Sequence, residues 1–408
     1  MTAEPTSPGH LKEHQRGVHG RTGTIVELLF LGAGIGLIAL AIAMDRAWLD
    51  RHVLPHMFLT RGQQLLWWAV ERGVVLIAGL GLIAWLRPRA ARAVRQGRGR
   101  ALVSHGLLAV IAVIFSLVAC ELILRTPWWR GVDHWAATEE PLRTADARLG
   151  WRLVGERSGR EWFSGRRILY HVDAGGHRIG DPGRPVDYAR PAILFTGESI
   201  MLGFRLNWPE TIAGRTEALT GIQAANLAVN GYGTDQAFVR LHDELPRFAR
   251  PVAVVALFAP SLFERNLDDD RPHLDAALRW HPGRPTLKLE RLMKNVALYH
   301  SAAAIEQGVA ATRAVLRETV REARARHAAV LILVPGFAPE QPTEAAMRHR
   351  VLDDAGLPYL QVTLDPRWRL AGDRHPDARA DRVMAGAIVI ALARQRPDLF
   401  RSPSFRSD

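Results

Sequence analysis

Lysine is almost missing from this 408-residue chain, occurring only at Lys12, Lys288 and Lys294, so the net charge of +12 is carried by arginine. Such a bias speaks for an arginine-favouring genome more than for a binding patch. A nucleic-acid surface would interleave basic residues with aromatics on one face, whereas the densest basic cluster here lies between two apolar segments, so no nucleic-acid partner is expected. Cysteine is limited to Cys120, which excludes intramolecular disulfides and cysteine-based zinc sites and leaves the redox compartment unspecified. Metal-binding spacings are also lacking. Asp268, Asp269, Asp270 and His273 form one acidic run without a second group of ligands, and read as a solvated loop. Neither a metal nor a cofactor is expected. Long apolar runs are lacking after Arg125, where the mixed pattern of a soluble α/β domain begins. With 48% hydrophobic residues, the chain can bury one domain and supply a second region.

The apolar runs are concentrated before Arg125. Residues 1–21 are polar and read as a flexible tail. Residues 22–125 hold three stretches of membrane-spanning length, about 24–44, 65–86 and 101–122. Ala41-Ile42-Ala43 resembles a processing site, but the run is long for a signal peptide and further apolar segments follow, which favours a retained helix. Trp67, Trp68 and Trp85 suit interfacial anchors, and Glu71 with Arg72 suits a structural polar contact. Arg87, Arg89, Arg92, Arg95, Arg98 and Arg100 crowd the polar stretch before the third span. The positive-inside rule places that stretch in the cytoplasm and everything after Arg125 outside.

Residues 126–190 read as a lead-in, with a strand at 167–172, that packs on the edge of a domain spanning 191–400. In that domain the period alternates. Strands are expected at 192–195, 224–229, 252–258, 329–334 and 359–364, and helices at 209–219, 234–248 (Thr234 as N-cap), 287–299, 302–326, 343–354 and 379–394. Strands alternating with helices predict a three-layer α/β/α doubly wound parallel sheet, with ligands at the C-terminal strand ends. Three of those ends carry chemistry. Ser199 follows the break at Gly197, where a serine is either a helix cap or a nucleophile lifted towards helix N–H groups. Gly231 and Gly233 let the backbone approach a ligand. Asp373 stands two residues before His375, so the carboxylate can hold Nδ1–H and leave Nε2 free to face Ser199.

In these blocks the chain resembles the SGNH or GDSL-type hydrolases, in the manner of their membrane-linked bacterial members. Gly197-Glu198-Ser199 matches the Gly-Asp-Ser block, Gly231 within NLAVNGYGTDQ the oxyanion-hole glycine, and Asp373 with His375 the last block. The similarity runs from about Leu149 to Leu399. It implies a Ser199–His375–Asp373 triad, with the Ser199 and Gly231 amides and Ser261 forming the oxyanion hole. It also implies a membrane-anchored esterase or O-acyl (acetyl) transferase in a bacterial inner membrane, its C-terminal domain periplasmic, acting on an ester-bearing cell-envelope carbohydrate or lipid. Three departures stand out: Glu198 replaces aspartate, Gly372 stands where many relatives place the acid three residues before the histidine, and Ser261 stands where relatives place the asparagine that completes the hole. Losing one such donor costs about 10²- to 10³-fold in rate. The second reading is therefore a degenerate SGNH-fold scaffold, bound to envelope-assembly partners without turnover.

Overall fold

The computed structural model describes residues 8–126, 138–296 and 299–398, and they divide into two units. The first holds the apolar helices: α1 (Pro8–Ala43), α2 (Arg46–His52), α3 (Arg61–Gly81), α4 (Arg87–Arg95) and α5 (Gly99–Leu124). Three stretches are long and apolar enough to cross a membrane, Arg21–Ala43, Arg61–Arg95 and Val103–Leu124. α1 and α3 approach at Gly34 and Gly79; a Cβ on Gly79 would lie 2.8 Å from the Gly34 carbonyl, so only glycine allows this spacing. Arg72 donates to the Ala41 carbonyl at 2.7 Å, which gives the polar residue inside the second span a structural partner.

Two sequence expectations change in this unit. The segment taken as a flexible tail to residue 21 is helical from Pro8. The arginine-rich polar stretch, expected beyond the end of the second span at about 86, continues the second apolar helix through a wide turn at Leu82–Leu86 into α4. Alanine and arginine are strong helix formers, and Pro88 sits in the first turn of α4, where its missing N–H costs least.

The second unit is built on an eight-stranded sheet in the order β12-β11-β8-β6-β7-β5-β4-β3. Its strands are β3 (Arg157–Phe163), β4 (Arg166–Val172), β5 (Arg178–Ile179), β6 (Pro191–Thr196), β7 (Gln223–Asn226), β8 (Arg250–Leu257), β11 (Ala329–Phe337) and β12 (Tyr359–Leu364). Short pairs stand apart from the sheet, β1 (Arg143–Asp146) with β2 (Gly150–Leu153), and β9 (His273–Leu274) with β10 (Trp280–His281). From β12 to β7 the neighbours are parallel, and from β7 to β3 antiparallel. The doubly wound sheet is thus present, extended by a ribbon. That ribbon is the correction to the lead-in: residues 157–179 do not lie against the edge of the sheet but form it.

Both faces of the central parallel strands β6, β8 and β11 are buried, which explains their near-continuous apolar runs, whereas the edge strand β12 exposes Gln361 and Thr363. Along β6, Ile193 and Phe195 join one core while Ala192 and Leu194 join the other. The first core packs beneath α7 (Ile212–Thr220) and α12 (Ala378–Gln395) through Ile212, Met384 and Ile388. The second packs beneath α8 (Thr234–Glu244), α10 (Ala302–Ala325) and α11 (Pro342–Arg348) through Leu241, Val309, Leu316 and Met347. Helix α9 (Lys288–Val296) belongs to the first unit, where Glu121 accepts from the amides of Lys288 and Leu289 at 3.1 and 2.8 Å. Thr234 begins α8 but does not cap it. Gly233 holds that place in an extended conformation.

Candidate functional site

Strand β6 is the point where the connections diverge, with β7 on one side and β8 on the other, and the C-terminal ends of these three strands form the crevice of such a sheet. At Gly197 a Cβ would meet those of Leu257 and Met201 at 2.8 and 3.1 Å, so only glycine lets the chain turn this tightly off β6. Glu198 then caps the four-residue helix α6 (Ser199–Leu202) by accepting from the Ile200 amide at 3.3 Å.

A helix this short cannot satisfy its own carbonyls. Asn226, at the end of β7, donates to Met201 O at 3.0 Å, and the fully buried Arg178 of β5 donates to Leu202 O and Gly203 O at 2.6 Å each, and to Leu206 O. Burial pushes the Arg178 guanidinium down to about 10, which leaves it charged at neutral pH. Tyr170 underlies it, 4.6 Å from ring centre to guanidinium. Removing Arg178 would strand the Leu202 and Leu206 carbonyls at roughly 1–3 kcal/mol each, while Gly203 O would keep the Leu206 amide at 3.1 Å.

The turn places Ser199 Oγ 2.8 Å from His375 Nε2. His375 lies in the hairpin-like connection between β12 and α12, closed by a bridge between Arg369 and Pro376 and by Leu370 N donating to His375 O at 2.9 Å. Asp373 Oδ1 accepts from His375 Nδ1 at 2.6 Å and from its amide at 2.9 Å, which fixes the tautomer with Nε2 towards the serine. The other oxygen, Oδ2, takes Arg205, whose Nε also donates to Glu161 at 3.2 Å. Burial opposes ionisation of Asp373, but the bonds from His375 and the charge of Arg205 outweigh it and hold the carboxyl well below the usual range. Ser199 and His375 are both buried.

A second acceptor also faces Ser199. Its hydroxyl contacts Glu198 Oε2 as well as His375, and Arg265 pairs with that carboxylate oxygen at 3.1 Å. One hydroxyl proton therefore stands between two acceptors, and a cation shields one of them. Arg265 lies on the 3-10 helix Pro260–Leu267 after β8, which also carries Ser261. Ser261 is half-buried at its start and makes no side-chain hydrogen bond among the described residues. Gly231 lies in the loop after β7 with φ +82°, held by Trp151 of β2, whose Nε1 donates to Asn230 O at 2.9 Å, while Tyr232 donates to Trp151 O at 2.6 Å.

Thus Ser199, His375 and Asp373 are brought into one hydrogen-bonded chain, and Gly231 and Ser261 stand at the ends of the strands flanking β6. The sequence reading missed Arg178, Arg205, Glu161 and Arg265, none of which sits in a motif. Asp269 pairs with Arg284 at 3.1 Å, and no group of three His, Cys, Asp or Glu among the described residues could hold a metal ion.

Neither a protein-family model nor a curated protein matches the sequence. Solved structures with similarity include an acetyl xylan esterase, Est2A, from the rumen bacterium Butyrivibrio proteoclasticus, at 12% identity over 53% of this chain and 67% of that one, with a TM-score of 0.33. A member of the lipolytic protein G-D-S-L family from Veillonella parvula is similar at 11% identity over 50% of this chain and 98% of that one, with a TM-score of 0.30.

Proposed function

We propose that the α/β unit is a serine esterase or O-acyltransferase acting on an ester-linked acyl group of a cell-envelope carbohydrate or lipid. The observation that carries this reading is the Ser199–His375–Asp373 chain, with Oγ–Nε2 at 2.8 Å and Nδ1–Oδ1 at 2.6 Å. His375 Nε2 takes the Ser199 proton as Oγ attacks the ester carbonyl. The Ser199 and Gly231 amides, with the Ser261 hydroxyl, receive the oxyanion. His375 returns the proton to the leaving alcohol oxygen, then deprotonates the water or acceptor hydroxyl that resolves the acyl-serine. Asp373 keeps the ring oriented and stabilises the imidazolium. The envelope substrate is drawn from the resemblance of the motifs and from the membrane helices.

The localisation we infer is a multi-pass inner-membrane protein with its α/β unit outside the cytoplasm. Two features support it. The arginines from Arg87 to Arg100 mark a cytoplasmic side. In addition, Leu54–Leu59, between the first and second apolar stretches, belongs to the same unit as residues 130–287. Those segments must then share a side, which requires an even number of crossings between them. Two crossings, by Arg61–Arg95 and Val103–Leu124, meet that condition. A reporter fused after Arg125 should be active outside the cytoplasm and one at Gln96 inside.

A scaffold without turnover is the second reading, favoured by the sharing of the Ser199 hydroxyl with Glu198 and by serine at position 261. Incubating the purified full chain in detergent, wild type and Ser199→Ala, with short-chain aryl esters and a fluorophosphonate separates the two. Turnover and labelling by wild type alone supports the enzyme; their absence from both proteins supports the scaffold.

A further inference from the structure

Residues Leu54–Leu59 lie between α2 and α3 in sequence but belong to the α/β unit, and three consecutive side chains there have separate tasks. His56 Nδ1 accepts from the amides of Phe58 and Leu59 at 3.0 and 3.1 Å, which closes the turn. With Nδ1 occupied by two donors the ring proton stands on Nε2, 3.1 Å from Glu264 on the 3-10 helix that carries Ser261 and Arg265. Met57 is buried in the core that also holds Ile193 and Met384. Phe58 is thereby set edge-on to His375, with ring centroids 5.7 Å apart and planes at 61°. Phe204 lies against the same imidazole at 5.1 Å but is buried, whereas Phe58 remains 40% exposed. A ring that touches the histidine and leaves much of its surface open is placed to meet a ligand.

The chemistry decides which part of the ligand. His375 hands its proton to the alcohol oxygen of the ester, so the alcohol portion must lie on the histidine's side, away from the oxyanion donors that take the acyl carbonyl. Phe58 borders that alcohol portion. The polar groups of His56 and Glu264 adjoin the turn, so its surroundings suit a hydroxyl-bearing ring better than an alkyl chain.

We propose that Phe58 is a specificity-determining residue of the alcohol side of the site, its exposed face receiving the C–H face of a sugar ring that bears or accepts the acyl group. This rests on the esterase or acyltransferase reading above. The test uses the full chain in detergent, with an acetylated methyl xylopyranoside, ethyl acetate, and the 4-nitrophenyl esters of acetate and butyrate. Phe58→Ala and Phe58→Leu should raise KM for the acetylated glycoside about tenfold, the scale of one lost aromatic contact, with little change in kcat. Ethyl acetate kcat/KM and the acetate-to-butyrate preference should stay at wild-type values, and Phe58→Trp should keep the low KM. Fluorophosphonate labelling of Ser199 confirms that each variant is folded. Equal loss on ethyl acetate would reduce Phe58 to a support for His375, a changed acyl-length preference would move it to the acyl side, and an unchanged glycoside KM would remove it from the site; each overturns the proposal. A wild type that turns over no ester fails the function itself, and this inference with it.

Discussion

Arg205 takes the oxygen of Asp373 that His375 leaves free, so the carboxylate is fixed from both sides and the imidazole with it. Arg205 is itself constrained, with φ +60° and its amide donating to Tyr170 Oη at 2.8 Å. Arg205→Met is expected to lower kcat by about 10- to 100-fold with little change in KM, because a small misplacement of His375 is costly. Asp373→Asn should cost about 10⁴-fold through the wrong tautomer. Steady-state kinetics on one aryl ester checks both, and wild-type kcat in Arg205→Met would dismiss the second contact as incidental. Since the folded-state value of Asp373 is depressed, its contribution to stability is present above the ordinary carboxylate range and is lost only as pH falls towards that depressed value.

Arg265 shields the Glu198 carboxylate that faces Ser199 Oγ. Removing the cation leaves an unshielded negative charge beside Ser199 Oγ, next to the carbonyl carbon whose oxygen becomes the tetrahedral oxyanion. Arg265→Gln should therefore lower kcat by about tenfold or more, and Glu198→Gln combined with it should recover part of the loss. A double-mutant cycle on kcat measures this, and additive losses would mean that the two residues act separately.

Ser261 poses a question of reach. The asparagine of the resembling family offers an amide where this hydroxyl is shorter, so Ser261→Asn should raise kcat by up to roughly 2.7–4 kcal/mol of transition-state stabilisation and Ser261→Ala should change little. The reverse order, with Asn damaging and Ala costly, would show a pocket adapted to the serine.

Stability should carry its own pH signature, away from the site. His177 is fully buried, 3.1 Å from Asp173 through Nδ1 and 3.4 Å from Glu244 through Nε2, the latter an ion-pair separation without hydrogen-bond alignment. Burial disfavours the charged ring, yet the two carboxylates outweigh it and raise the histidine above its ordinary value; burial likewise opposes both carboxylates, which His177 holds below theirs. The histidine's contribution is full below about pH 6.5 and is lost as pH rises through the raised value, while the carboxylates' contribution is present above about pH 4 and lost as pH falls. Thermal unfolding across pH should show a maximum between these limits. His177→Gln should lower the whole curve by roughly 3 kcal/mol or more and flatten its alkaline side. An unchanged alkaline side would mean the ring is uncharged in the fold.

Sequence period located the parallel strands well: the central ones, buried on both faces, read as apolar runs with sharp ends, and the edge strand β12 falls at Tyr359–Leu364 as expected, its exposed Gln361 and Thr363 alternating with buried Val362 and Leu364. The antiparallel ribbon was obscure for the opposite reason. β3, Arg157–Phe163, is largely exposed and polar, so nothing in its period separates it from a loop. In the site, Ser199, Asp373 and His375 were legible because each stands at a break between a strand and a helix and the acid neighbours the histidine. Arg205, Arg265 and Phe58 were not, since each meets its partner across a distance that no local spacing records.

The tie between Arg178 and the turn after Ser199 has a consequence in time. Arg178 and Asn226, which hold the carbonyls after the nucleophile, are made before residue 227, whereas the histidine that pairs with Ser199 arrives with the last crossover of the sheet. A chain emerging from its N-terminal end can thus gather these supports early and leave Ser199 without its histidine partner until His375 docks. The growing protein holds the serine well before the imidazole, and the hydrogen-bonded chain of Ser199, His375 and Asp373 closes only with the final layer.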